Sequence, residues 1–269
     1  MSCDMEGISG VTHWDETSRK QGGGDYERAR KLMTADADAA ALGAYDAGAS
    51  EVVINDSHGG MRNIIVEELD DRVKLISGSP KFLSMMEGVE GADVAMLVGY
   101  HARAQSLGIM NHTYTGFVSE YRINGATYGE CGMNAALAGH FGVPVILLTG
   151  DSMAAKEAED LLPGVRTVAV KDPASQLAAK LIHPQRARAM IREAAATAVR
   201  EAAAARPKPL EVSRPVLLQL IMARSVQADA ASVLPGAKRL SPVTVAWEGR
   251  DYLECYRAFR SMVALAQWD

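Results

Sequence analysis

The sequence predicts an α/β fold: a mostly parallel central sheet flanked by helices, with a smaller C-terminal α+β region. Three observations lead there. Short apolar runs alternate with longer helix-like segments through the first half, the pattern of strand and crossover helix rather than of a sandwich. One of these runs, "ADVAMLVGY", is almost continuously apolar, as suits a strand covered on both faces of a parallel sheet. After about Asp172 the composition shifts to a long Ala/Arg/Glu helix, a stretch broken by prolines and two more strand candidates.

Taken in order, the chain opens with "SCDMEG", whose "DMEG" lies at or near the end of a short predicted strand. The polar stretch "HWDETSRKQGGGD", which ends in three glycines before its Asp, reads as a mobile surface loop, with a lid over the site as the alternative. "DYERARKLMTADADAAALGAYDAGAS" is Ala-rich, carries charges at helical offsets and stops at Gly48, so it predicts a helix. "EVVIND" follows as a strand, "KFLSMMEGVEG" as a helix-like piece, and "ADVAMLVGY" as a strand. "GMNAALAGHFG" predicts a helix and "PVILLTGD" a strand. In the last third come the helix "HPQRARAMIREAAATAVREAAAA", the strands "VLLQLIM" and "SPVTVAW", and a closing helix "DYLECYRAFRSMVALAQ". A catalytic α/β domain over 1–172 and a smaller α+β domain over 173–269 are expected.

Composition excludes several classes. With 48% hydrophobic and 23% charged residues the chain has ample material for a core and is not a disordered one. A net charge of -5 without polybasic runs gives no reason to approach nucleic acid or an anionic membrane. No basic and apolar leader and no long apolar span is seen, so a cytoplasmic protein is expected. The cysteines Cys3, Cys131 and Cys255 are too few and too scattered for a disulfide framework or a zinc knuckle, which agrees with a reducing compartment.

The polar residues are informative by position. "DMEG", "NDSHGG" and "GYHA" all fall at or near the C-terminal ends of predicted strands, the edge where open α/β sheets bind ligands. On an extended strand, Asp4 and Glu6 project to one face, where two carboxylates either share a proton or bind a cation. His58 and His101 favour the cation, because mixed imidazole and carboxylate donors suit zinc and its first-row neighbours. Glu130 adds a third carboxylate near the start of the next helix. Five candidates exceed the needs of one ion, and a two-metal site with a bridging carboxylate accounts for them. Each residue singly has an ordinary explanation as a turn, cap or core side chain; only the constellation points to metal. His112, beside Asn111, either moves a proton or stabilises an oxyanion, or else is a capping or core histidine. His13, His140 and His183 read as structural. Ser57 and His58 are sequence neighbours whose side chains diverge, Cys131 has no readable activating partner, and "QGGGD" matches no nucleotide-binding motif.

In sequence order, "SCDMEG", "NDSHGG", "GYHA", "NHTYTG" and "INGATYGECGMNAALAG" resemble the M55 metallopeptidases, the D-aminopeptidase family, over residues 2 to about 190. The family pattern S-x-D-x-E-G matches Ser2, Asp4, Glu6 and Gly7. The resemblance implies metal ligation by Asp4, Glu6, His58, His101 and Glu130, and a catalytic role for His112. It further implies two zinc ions per chain, hydrolysis of short peptides with release of an N-terminal D-residue such as D-alanine, and a homodecamer of two pentameric rings. The rival expectations are a cytoplasmic dipeptide-binding or transport-associated protein without catalysis, and a metal-dependent amidase or phosphoesterase using the same ligands.

Overall fold

The computed structural model describes residues 1–268. The chain begins with β1 (Ser2–Cys3), α1 (Trp14–Thr17), α2 (Gly23–Asp46), β2 (Val53–Asp56), β3 (Lys74–Ile76) and β4 (Ala95–Tyr100). Next come β5 (Val118–Ile123), β6 (Ala126–Tyr128), α3 (Glu130–His140), β7 (Val145–Asp151), α4 (Ser152–Leu161), β8 (Arg166–Ser175) and β9 (Ala178–Leu181). The remainder is α5 (Pro184–Ala204), β10 (Val216–Met222), α6 (Ser225–Ala231), β11 (Lys238–Arg239), β12 (Thr244–Gly249) and α7 (Tyr252–Leu265).

Seven strands form the main sheet in the order β3-β2-β1-β4-β7-β8-β9, parallel except for the terminal β9. Because side chains alternate across a strand, β4 and β7 feed two separate cores. Val98 and Leu147 pack with Met33, Ala37, Ala40 and Ile191 of α2 and α5, whereas Leu97 and Leu148 pack with Leu137, Leu218 and Phe259. On the first face α2 and α5 approach closely through small residues; a Cβ on Gly43 would lie 2.2 Å from the Arg192 carbonyl oxygen. On the second face lie α3, α7 and a five-stranded antiparallel sheet in the order β11-β12-β10-β5-β6.

The expected strands β2, β4, β7, β10 and β12 and the helices α2, α3, α5 and α7 are present, and Gly48 follows the end of α2 with φ +93°. Three expectations need correction. "KFLSMMEGVEG" is not a helix: only Ser84–Met86 forms one 3₁₀ turn, because Ser84 sits at φ +51° and Gly88 at +84°. Residue 172 lies inside β8, and the smaller sheet takes β5 and β6 from before it, so the two sheets do not part at 172. The physical reason is pairing: Ile123 of β5 faces Leu218 of β10, a contact between distant segments. Finally, Asp4 and Glu6 are not alternate residues of a strand, since β1 ends at Cys3.

The turn after β1 is instead pinned to β4. Asp4 N–H donates to the Val98 carbonyl and Gly7 N–H to the Gly99 carbonyl, both at 2.8 Å. A Cβ at Gly7 would lie 1.9 Å from the Tyr100 carbonyl oxygen, so only glycine permits this approach. No helix among the described residues is long and apolar enough to cross a membrane. Because of that close approach, Gly7→Ala should lower the melting temperature by roughly 4–10 °C. Unchanged thermal denaturation would mean that the backbones do not approach this closely.

Candidate metal centre

The six side chains singled out in the sequence converge at the carboxyl edge of the main sheet. Asp4 and Glu6 follow β1, His58 stands two residues past β2, His101 directly follows β4, His112 lies in the loop beyond, and Glu130 opens α3. They form two groups, Asp4/Glu6/His58 and His101/His112/Glu130, in each of which one donor atom per residue lies within 4.8 Å of the others. His58 Nδ1 is 3.0 Å from Glu6 Oε2 and 3.3 Å from Asp4 Oδ1. His101 Nε2 is 3.1 Å from Glu130 Oε1 and 3.5 Å from Asp4 Oδ2. Asp4 thus sends one oxygen to each group. His112 Nε2 lies 3.6 Å from Glu130 Oε1, and its ring stacks on His101 with centroids 4.1 Å apart.

Each imidazole is fixed from behind by a backbone carbonyl. His58 Nε2 donates to Thr17 O at 2.9 Å, His101 Nδ1 to Ala102 O at 2.9 Å, and His112 Nδ1 to Met110 O at 3.0 Å. A carbonyl only accepts, so these nitrogens carry hydrogens, and the opposite nitrogens face the carboxylates with a lone pair when the ring is neutral. Two buried atoms at the centre, Asp4 Oδ2 and His101 Nε2, have no hydrogen-bond partner among the described residues. Buried acceptors left facing one another are costly unless a cation or protons lie between them. Carboxylates and imidazoles gathered in two such groups are a donor set that fits zinc.

Among the protein groups alone, protons take that part. Burial, then the neighbouring Glu6, pushes the Asp4 carboxyl up to about 7. Burial also works against ionisation of Glu6 and Glu130, yet His58 beside the first and His101 beside the second bring both below the usual carboxylate range. Burial opposes a charge on His58 and His101, but Glu6 with Asp4, and Glu130 with Asp4, raise them well above an ordinary imidazole. His112 goes down, through burial and the adjacent His101.

Several supporting residues were not among the candidates drawn from the sequence, although Asp56 stands within "NDSHGG". Asp56 accepts from Asn63 N and Ile64 N at 2.5 and 2.8 Å, and Asn63 Nδ2 donates to the His58 carbonyl at 2.8 Å, shaping the loop that presents His58. Asp151 caps α4 through Oδ1 and holds Ala102 N–H with Oδ2 at 3.2 Å. Buried Lys171 donates to the carbonyls of Glu6, Ile8 and Val11 at 2.5, 2.9 and 2.6 Å. The stretch expected as a plain polar loop contains α1, which supplies the Thr17 carbonyl to His58. His13 and His183 cap α1 and α5, and His140 ends α3, in keeping with structural roles. The three cysteines are free and buried.

An open α/β sheet whose carboxyl edge gathers such a donor set is the architecture of a metal-dependent hydrolase. The chain belongs to the M55 family of peptidases, the D-aminopeptidases, whose sequence model matches residues 1–261. A D-aminopeptidase of Bacillus subtilis (strain 168) is 40% identical over 268 residues, covering 99% of this chain and 96% of that protein. The solved structure of the zinc-dependent D-aminopeptidase DppA from Bacillus subtilis, a self-compartmentalizing protease, superposes with a TM-score of 0.96 at 38% identity, over 100% of this chain and 97% of that one.

The proton positions give a pH dependence. Asp4, His58 and His101 all bind protons more tightly folded than unfolded. That stability is complete below the unfolded values and is lost as pH rises through the folded ones. The chelated protein should therefore melt at a lower temperature at about pH 8.5 than at about pH 6.5. A zinc ion held by these residues would replace those protons, so the rise in melting temperature on adding it should be larger at the higher pH. Thermal denaturation with and without a chelator at both pH values checks this, and a larger zinc effect at pH 6.5 would contradict it.

Proposed function

We propose that this chain is a dinuclear zinc aminopeptidase that removes an N-terminal D-residue, such as D-alanine, from short peptides. The observation that carries the reading is the division of Asp4 between two groups, with its Oδ1 toward His58 and its Oδ2 toward His101. Asp4, Glu6 and His58 would hold one zinc ion and His101 and Glu130 the other, with Asp4 within reach of both groups. When bound, zinc supplies Lewis acidity toward a peptide carbonyl and toward water.

The chain's own groups do the rest. His112 keeps its Nδ1 hydrogen on the Met110 carbonyl, which leaves Nε2 as the atom at which it takes or returns a proton. Burial and His101 hold its pKa down, so the ring is neutral near pH 7 and ready to accept a proton and then deliver it to the leaving amine. Glu130 is unavailable for that task at Oε1, which already accepts the Tyr114 N–H at 2.7 Å and faces His101. The D-residue preference, the restriction to short peptides and the decameric rings rest on family resemblance, supported by the activity and self-compartmentalization of the Bacillus subtilis protein.

Reconstitution with zinc, followed by assay of D-Ala-D-Ala, D-Ala-L-Ala and L-Ala-L-Ala, tests the reading. Free D-alanine should appear from the first two, chelation should abolish it, and metal analysis should find about two ions per chain. Saturable binding without product would favour a dipeptide binder instead. His112→Ala should lower kcat by about 100-fold or more with zinc content unchanged, whereas Asp4→Ala should lose both ions. A His112→Ala variant with full rate would remove that residue from the mechanism.

A further inference from the structure

Helix α1 touches both halves of the centre. Its last residue gives the Thr17 carbonyl to His58, and its first, Trp14, meets the His112 ring at a centroid distance of 5.4 Å and an interplanar angle of 71°. Short as it is, the helix is firmly framed. Glu16 Oε2 accepts the N–H groups of Thr12 and His13 at 2.7 and 3.0 Å, Glu16 Oε1 accepts from Arg28 at 3.0 Å, and Thr17 Oγ1 donates to the Trp14 carbonyl at 3.1 Å. Trp14 itself is half-buried and packs against the margin of the α2/α5 core.

His112 has few other restraints. The parallel stack on His101, at 11° between planes, opposes tilting but lets the imidazole slide and rotate within its plane. The single hydrogen bond from Nδ1 to Met110 O acts as a pivot. A second ring lying across it at 71° blocks the movement that remains. We propose that Trp14 is a positioning residue for His112: it holds Nε2 toward the metal centre and so raises turnover without taking part in zinc or substrate binding. This rests on the reading of His112 as the group that handles the proton.

An edge-on aromatic contact of this kind is worth roughly three- to tenfold in the population of the held orientation. With D-Ala-D-Ala as substrate, Trp14→Ala should therefore lower kcat by roughly three- to tenfold, change KM by less than about twofold, and leave zinc affinity, measured by competition with a chromogenic chelator, unaltered. Trp14→Phe keeps a ring and should recover most of the loss. The decisive comparison is made in the His112→Ala background, where adding Trp14→Ala should cost nothing further, since the two residues act as a unit. An equal loss in both backgrounds would show that Trp14 acts elsewhere and overturn the inference. So would a rise in KM alone, which marks a substrate wall, or a fall in zinc affinity, which marks an effect through His58. Full activity of His112→Ala overturns the assignment of His112 and this inference together. Loss of activity in His112→Ala with none in Trp14→Ala overturns this inference alone.

Discussion

The constraint on which the rest of the molecule depends is the burial of three carboxylates, Asp4, Glu6 and Glu130, around one small space. Out of water their mutual repulsion is poorly screened, and each also gives up its hydration. A sequence shaped only for stability would put apolar side chains there. The cluster is tolerable because imidazoles stand among the carboxylates, and because the arrangement suits cations that neutralise it more completely than imidazolium can. Of the three, Asp4 is the one with a buried carboxylate oxygen, Oδ2, that has no hydrogen-bond partner among the described residues. It is the residue placed between the two groups, where two cations rather than one would be within reach.

Such a cluster keeps its geometry only if something else holds the backbone, and the surrounding buried charges do so. Lys171 spreads its three hydrogens over the carbonyls of Glu6, Ile8 and Val11 rather than over any carboxylate. Asp36 takes Ser9 N and Oγ at 2.8 and 2.9 Å, Asp56 takes the amides of Asn63 and Ile64, and Asp151 takes Ala102 N. In each case an ionisable side chain from outside the centre is bonded to the main chain of a ligand-bearing loop. The loops that carry the ligands are thereby tied down from outside the centre. Burial pushes the Lys171 ammonium down to about 8, the cost of using a charge as a backbone staple.

How much of this could be read from the chain depended on the range of the interaction concerned. The strands β4 and β7 are apolar on both faces, and α2, α3 and α5 carry Ala-rich helical patterns, so local composition reveals them. In contrast, "VSEYRI" of β5 mixes buried and half-buried residues without strict alternation, and its partner β10 is far along the chain; nothing local says which sheet it joins. "KFLSMMEGVEG" has helical composition but is bent by Ser84 and Gly88 in left-handed conformations that composition does not encode. For the site, the residue types and the strand edge were legible, because Asp, Glu and His announce their chemistry. The exact turn carrying Asp4 and Glu6 was not, since it is set by Gly7 meeting the Tyr100 backbone. The carbonyls of Thr17, Ala102 and Met110 were illegible for a simpler reason: every residue has one.

The location of the centre follows from strand order. The chain moves from β1 outward to β2 and β3, then returns to place β4 on the other side of β1, so β1 and β4 flank a topological switch point, the place where open α/β sheets bind ligands. Asp4 and His101 stand at that divide, and His58 enters from the β2 side. A two-residue strand at so central a position holds because its ladder continues past its formal end. Asn55 N–H donates to the Met1 carbonyl, Ser57 N–H to Cys3, and Asp4 N–H to Val98, each at 2.8 Å. Asp4 is therefore tied to β4 at its own amide and to β2 through the preceding carbonyl, and these are the strands that deliver His101 and His58. The side chain that joins the two halves of the centre belongs to a residue whose backbone already joins the two halves of the sheet.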